Sequence, residues 1–262
     1  MSTASKDLLK LFRDFSEDKY KQTPASQRIL IAVSGIPGSG TPFHISYRIP
    51  TYSFLGKTTL ASLISQRLNS LHNLHCPAQT SSLVAAFVPM DGYHLSRAQL
   101  SALPDPTTAH ARRGAAFTFD STSFLTLAQK LREPLLPESK TIYAPSFDHA
   151  VKDPVEDDIT IPPTARIVIL EGNYLSLNKG LWKEAAGLMD ELWFVEVGWE
   201  TARRRLVGRH VAAGIARDEE EARRRVEEND FLNGKEIVED RLAVQEVIVS
   251  REDEGWMGMG GA

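Results

Sequence analysis

The chain has 262 residues, 42% of them apolar, enough to bury a full core and close to the upper size of one domain. Its 30 Lys and Arg against 34 Asp and Glu leave a net charge of −4, which gives no chain-wide basic footprint for nucleic acid. The one cysteine, Cys76, excludes an internal disulfide framework and argues against a structural zinc site, and no apolar run approaches the ~18 residues of a membrane span.

An amphipathic helix is predicted from about Ser5 to Lys21, with Leu8, Leu11, Phe12 and Phe15 on one stripe packed beside the first strand. The early acids Asp7, Asp14, Glu17 and Asp18, and the lack of a signal-peptide core, point to a cytoplasmic protein with neither nucleic-acid nor membrane partners. Arg28 to Val33 then reads as a buried strand. It runs into Gly35-Ile36-Pro37-Gly38-Ser39-Gly40, a glycine-rich turn that stops short, and Gly56-Lys57-Thr58-Thr59-Leu60 resumes it sixteen residues later. Removal of Thr41 through Gly56 leaves GIPGSGKTTLA, a G-x-x-x-x-G-K-[ST] pattern with a strand before it and Leu60, Ile64, Leu68 and Leu71 at helical spacing after it. In such a loop successive amides cradle phosphates, the lysine reaches the β- and γ-phosphates, and the hydroxyl holds Mg²⁺. Gly35, Gly38, Ser39, Gly40, Gly56, Lys57, Thr58 and Thr59 are therefore the expected nucleotide-binding residues.

The interrupting TPFHISYRIPTYSFLG has two prolines, no acid and several strand formers, so it neither continues the helix nor resembles a polar surface loop. Two origins stay open. A Gly40 codon ending in GT, with Leu55-Gly56 written CTA-GG, would place splice boundaries around an in-frame retained intron; the other origin is an inserted loop, which chain entropy tolerates. Either way the extra residues leave and return at the point where the amides converge on the anion, next to the helix N-terminus. Nucleotide affinity is expected to suffer.

Four further apolar runs follow, Leu83 to Met90, Arg166 to Leu170, Glu191 to Val197 and Val244 to Ser250, alternating with helical stretches near 122–133, 181–188, 200–213 and 218–231. This alternation predicts an α/β, three-layer fold around a mainly parallel five-stranded sheet covered on both faces. A Pro-rich segment at about 134–164 is expected to form a small β flap, 200–232 a helical lid, and 255–262 a disordered tail on a single domain spanning 1–262. The triplets Arg203-Arg204-Arg205 and Arg223-Arg224-Arg225 lie among acids at helical spacing, which favours ion-paired helix faces.

Three predicted strands end on residues that phosphoryl transfer uses: Lys57 and Thr58 after the first, Asp91 after the second and Glu171 after the third. A carboxylate at the acceptor hydroxyl and another in the metal shell are expected parts of that chemistry. Either acid alone reads more readily as a helix cap or turn residue, but the two together after a phosphate loop favour the functional reading. Asn229 and Asn233, four apart on one helical face, read as adenine contacts or as residues of a helix C-terminus, the second being favoured.

Asp91-Gly92-Tyr93-His94-Leu95, Arg112-Arg113-Gly114-Ala115, Thr118-Phe119-Asp120, Tyr143 to His149 and Glu171-Gly172-Asn173-Tyr174 resemble the P-loop kinases of the uridine kinase, phosphoribulokinase and pantothenate kinase superfamily, over nearly all of the chain apart from the insert and the termini. The resemblance implies the P-loop NTPase fold, ATP and Mg²⁺ as cofactors, and a small-molecule acceptor. It implies that Asp91 faces the acceptor hydroxyl, that Glu171 joins Thr58 in the metal shell, and that Arg205 and Arg209, with Lys57, close on the transferred phosphoryl group. Asp91, Tyr93, Arg113, Tyr143 and His149 are the implied acceptor contacts. The nucleoside-reading segment departs from uridine kinases in spacing, with Lys152 near the place of an Arg.

The expected function is ATP-dependent phosphorylation of a hydroxyl on a small, nucleoside-like metabolite. The alternatives are a pantothenate- or sugar-type kinase of the same superfamily, and a non-catalytic scaffold whose insert impairs ATP binding.

Overall fold

Every side chain of β1 (Ile29–Gly35) is buried, the signature of a central strand covered on both faces. In the computed structural model, which describes residues 19–39, 56–75 and 82–250, β1 pairs in parallel with β5 (Ile167–Glu171) on one side and β6 (Glu191–Glu196) on the other. β2 (Ala85–Pro89) adds beside β5 and β7 (Glu246–Val249) beside β6, giving the order β2-β5-β1-β6-β7 with every neighbour parallel. The five predicted strands are these five.

Strand side chains alternate between faces, and the two cores follow that period. Ile29, Ile31 and Val33 join Leu60, Ala61 and Leu68 of α1 (Lys57–His75) in one cluster. Leu30 and Ala32 join the opposite cluster, with Phe124, Leu127 and Leu131 of α4 (Ser121–Arg132), Trp182 and Ala185 of α5 (Gly180–Ala186), and Ile237 of α8 (Phe231–Glu239). The result is three layers. A third, small cluster holds together α6 (Trp199–Ala212), α7 (Glu219–Arg225) and the single π-helical turn Val226–Asp230 through Leu206, Val207, Ala216, Ala222 and Val226.

Local chemistry accounts for the helix ends. Asp120 accepts from the amide of Ser123 to cap α4, and Asp218 accepts from that of Glu221 to cap α7. Glu219 to Glu221 in the first turn of α7 and Arg223 to Arg225 in its last complement the helix dipole. Two shorter helices, α2 (Arg97–Ser101), opened by a Ser96–Gln99 capping box, and α3 (Pro106–Ala111), carry the chain out of the site and back.

β3 (Ile142–Asp148) and β4 (Asp153–Ile161) form a separate antiparallel ribbon with a bulge between Ala144 and Ser146, within the Pro-rich segment. Of the predicted N-terminal helix, the stripe of Leu8, Leu11, Phe12 and Phe15 lies outside the described residues; Tyr20–Gln22 is one helical turn, and Lys19 pairs with Glu191. Gly40, the insert through Leu55, Cys76 and the 255–262 tail also lie outside them. No helix among the described residues is long and apolar enough to cross a membrane.

Candidate active site at the strand ends

In parallel α/β sheets ligands sit beyond the carboxyl ends of the strands, and here three of those ends meet. Val33 of β1 is in register with Glu171, the last residue of β5, and the amide of Gly172 donates to the Val33 carbonyl at 3.1 Å. The glycine turn leaves β1 two residues later. From the other fragment, Lys57 at the start of α1 brings Nζ to 3.7 Å from Glu171 Oε1, and the Thr58 hydroxyl hydrogen-bonds the same carboxylate. The resumed half of the motif thus meets an acid on the strand paired with the one that leads into the first half.

Close packing fixes the first half. Gly38 has φ +78°, which L side chains rarely adopt, and a Cβ there would lie 2.8 Å from the Ala202 carbonyl and 2.9 Å from Leu206 Cγ of α6. The turn is therefore seated directly on the predicted lid helix. A Cβ on Gly35 would come within 2.8 Å of the Val195 carbonyl. Ser39 is fully buried and its Oγ has no hydrogen-bond partner among the described residues. Buried polar atoms are rarely left so, and an orphaned hydroxyl in a glycine turn fits a phosphate oxygen. Gly56 is buried, and its carbonyl accepts from the Leu60 amide in the first turn of α1. Thr59 is half-buried in that turn.

Glu171 is 4% exposed, and burial pushes its carboxyl up to about 7. The Lys57 ammonium opposes that rise, the Asp91 charge adds to it, and the bonds from Thr58 and Lys57 lower it. Asp91 follows β2 in the 3₁₀ turn Met90–Tyr93, and its side chain is 50% exposed. One acid is enclosed and the other open to solvent. His94 Nδ1 is 2.9 Å from the Asp91 carbonyl oxygen, and the imidazole lies against Phe119 and Phe147 at 4.0 and 4.9 Å between centroids. Burial holds this histidine below its ordinary pKa, against the pull of Asp91.

Of the two lid arginines implied by resemblance, Arg205 is buried and its Nη1 donates to the Ser39 carbonyl at 3.4 Å, which places its guanidinium at the phosphate turn. Arg209 is half-buried one helical turn later. The neighbouring Arg203 forms ion pairs with Glu200 and Glu227, and Arg223 pairs with Glu219, as expected for solvated faces.

The implied acceptor contacts are not gathered together. Tyr93 is a core residue, 4% exposed, with its ring edge-on to Phe124 at 5.2 Å. Burial and the nearby acids Glu156 and Asp120 push its phenol well above the ordinary range. Its edge and the 52%-exposed Tyr143 line a cavity of about 280 Å³ between α4 and the ribbon, whose walls do not include Asp91. His149 is exposed in the ribbon turn, with its ring 5.2 Å from Phe147. Arg113 is tied to structure: it donates to the carbonyls of Leu95 and Lys152 and to Asp153 Oδ1, and lies over the Phe147 ring at 5.5 Å. It joins the Asp91 turn to the ribbon.

Asn229 and Asn233 do not stand at a helix C-terminus, the reading favoured from the sequence. Both are buried, on the π turn and α8, where Asn229 Oδ1 accepts from Arg112 Nε at 2.9 Å and Asn233 Oδ1 from Arg112 Nη2 at 2.7 Å. Asn229 also donates to the Arg113 carbonyl at 3.1 Å, and the Tyr174 hydroxyl donates to that of Gly114 at 2.7 Å. The Arg112-Arg113-Gly114 corner is therefore clamped between the lid-side helices and the end of β5. Sequence reasoning missed Arg112; its signal was the arginine doublet facing two amides at i and i+4.

No family model matches the chain. The ATP-dependent kinase-like protein notR' of Aspergillus versicolor is 59% identical over 159 residues, covering 61% of this chain and 92% of that protein. A Schizosaccharomyces pombe protein named "Putative uridine kinase C227.14" is 35% identical over 225 residues, covering 86% of this chain and 84% of its own length. In fold, the crystal structure of YFH7 from Saccharomyces cerevisiae, described as a P-loop containing kinase, superposes with a TM-score of 0.77 at 22% identity, covering 96% of this chain and all of that one. Kinship at this level, with a phosphate turn issuing from the central strand of a parallel sheet, makes the chain a member of the P-loop kinases of the uridine kinase, phosphoribulokinase and pantothenate kinase superfamily, and thus a phosphotransferase.

Proposed function

We propose that this kinase transfers the γ-phosphoryl group of ATP, with Mg²⁺, to a hydroxyl of a small, nucleoside-like metabolite in the cytoplasm. The observation that carries the reading is the convergence of Lys57, Thr58 and Asp91 on the buried Glu171 at the ends of three neighbouring strands. A relative named as a uridine kinase supports the acceptor class.

The residues fit both cofactors. The orphaned Ser39 hydroxyl, the tight Gly38 turn and Lys57 suit a triphosphate. The Thr58 hydroxyl and the Glu171 carboxylate are the hard oxygen donors that Mg²⁺ takes in ones or twos alongside phosphate and water, and the ion, when bound, neutralises charge on the phosphates. Asp91, open to solvent, orients the acceptor hydroxyl and takes its proton as the oxygen attacks phosphorus. Lys57, Arg205 and Arg209 meet the charge on the departing phosphoryl oxygens, where rigid cations act most strongly. Arg113 fixes the ribbon against the Asp91 turn, and closure of the ribbon as a flap brings Tyr143 and His149 toward the acceptor, with Tyr93 as a fixed wall. The whole chain acts as one domain, with the ribbon as flap and the segment from Trp199 to Asp230 as lid.

The test is transfer of label from [γ-³²P]ATP to a panel of nucleosides, pantothenate-like alcohols and sugars. Transfer to a nucleoside supports the reading, and transfer only to pantothenate or a sugar moves it to those branches of the superfamily. ATP hydrolysis indifferent to every acceptor overturns it. The interruption of the phosphate loop favours one other reading, a scaffold that binds ATP poorly. Tight ATP binding by the 262-residue chain dismisses that reading.

A further inference from the structure

Beyond Asp91 and Glu171, a cavity of about 370 Å³ opens between the lid and the Arg112 corner, and three arginines, Arg112, Arg224 and Arg225, are among the residues that line it. None of the three forms an ion pair within 4.0 Å among the described residues, although Arg203, Arg217 and Arg223 of the lid segment do. Arg112 is held through two nitrogens by the neutral side-chain carbonyls of Asn229 and Asn233, which aim it without cancelling its charge. Arg225 Nε is buried with no hydrogen-bond partner. Two acids share the walls: Glu221 accepts from the side chain and backbone amide of Arg217 and its charge also meets Arg224, which leaves Glu228 as the acid nearest Arg112 and Arg225 in the lining. Ile215, on the loop between α6 and α7, supplies an apolar wall.

A guanidinium nitrogen buried without a partner, as Arg225 Nε is, is costly unless a ligand oxygen completes it, and the Arg112 charge beside it is held but not neutralised. Planar guanidinium forks match carboxylate and phosphate oxygens in pairs. We infer that this cavity binds the carboxylate or phosphate of a small metabolite between the lid and the Arg112 corner. The Asn229–Arg113 bond links its floor to the residue that braces the Asp91 turn. This deepens the kinase reading and rests on it for one point only, that the anion belongs either to the acceptor itself or to an effector bound beside it.

The probes are D-glycerate and ribose 5-phosphate, with glycerol and ribose as neutral twins. Each is titrated calorimetrically into the 262-residue chain, and each is offered as acceptor with labelled ATP. An anionic probe is expected to bind at least tenfold more tightly than its twin. That preference should fall at least tenfold in Arg225→Gln, and in Arg224→Gln, whose more exposed position makes it the control for folding; both variants are checked by thermal unfolding. Label transferred to the bound anion makes it the acceptor's own group, and binding without transfer makes it an effector. Equal affinity for the twins, no binding of either anion, or anion binding unchanged in both variants overturns the inference. ATP titrated into the same samples keeps the two ideas apart: loss of ATP binding counts against the kinase reading, while the arginine-dependent anion titration still decides this one.

Discussion

Lys57 Nζ stands 3.7 Å from Glu171 Oε1 in a pocket where the lysine side chain is 13% and the glutamate side chain 6% exposed. The lysine belongs to the resumed half of the motif, and the glutamate is in register with Val33, just before the interrupted half. This one contact ties the resumed fragment to the strand that pairs with β1, from which the first fragment issues.

The contact is not stabilising enough to keep Glu171 in the ordinary carboxylate range, since burial raises it from 4.5 to about 7. A raised folded-state value means that the folded protein holds a proton which the unfolded chain releases above pH 4.5. Stability from this group is therefore complete below pH 4.5, is lost as pH rises to 7, and is flat above, for a total on the order of 3 kcal/mol. Glu171→Gln should match the parent near pH 4.5 and exceed it by about that amount at pH 7.5, in denaturant melts run with EDTA. A variant less stable than the parent at pH 7.5 would show that the Lys57 pair outweighs desolvation.

The insert makes a second prediction. Sixteen residues enter between Gly40 and Lys57, where the amides should converge on the β-phosphate. The chain lacking Thr41 through Gly56 should bind ATP at least tenfold more tightly than the 262-residue form, about 1.4 kcal/mol by calorimetry. The splice hypothesis, motivated by the intact motif left on excision, expects a shorter transcript, and transcript sequencing that finds none removes it. Equal affinity of the two proteins would mean that Gly56 completes the turn unaided.

Much of this architecture was legible because strand and helix periods are local. The five apolar runs became the five strands, and the strand-end positions of Lys57, Asp91 and Glu171 followed from where each run stopped. The pairing order β2-β5-β1-β6-β7 is long-range and left no mark on any one run. Side-chain direction was also hidden: Tyr93, two residues after Asp91, faces Phe124 because the 3₁₀ turn rotates it inward. Asn229 and Asn233 looked like helix-end residues, since nothing local shows that a π turn aims them at Arg112 over a hundred positions away.

Asp91 tests the acceptor chemistry. Asn keeps the size and hydrogen bonding of the side chain but cannot take a proton, so Asp91→Asn should lower kcat by about 10²- to 10⁴-fold. ATP affinity should stay within about threefold, because the phosphate turn and Lys57 are untouched. Label transfer and nucleotide titration on the same sample separate the two effects. Transfer at the parental rate would remove Asp91 from the reaction.

Gly92 tests whether the ribbon is part of the site or an ornament on it. A Cβ at this position would lie 2.1 Å from the Pro145 carbonyl oxygen and 2.5 Å from its carbon, both backbone atoms of β3 that cannot rotate away. Gly92→Ala must therefore push the ribbon off the Asp91 turn or move the turn itself, at a cost of about 1–3 kcal/mol. The Arg113 bonds to Leu95, Lys152 and Asp153 tie the same two elements, so the strain has no slack to absorb it. Hydrogen exchange should quicken across Ile142–Asp148 and Asp153–Ile161 while β1 and β5 keep their protection. Acceptor KM should rise with ATP affinity preserved, since the phosphate turn belongs to β1 and α1 and packs on α6. Unchanged exchange in the ribbon would mean that the turn, not the ribbon, gives way, and unchanged KM with it would show that the ribbon takes no part in acceptor binding.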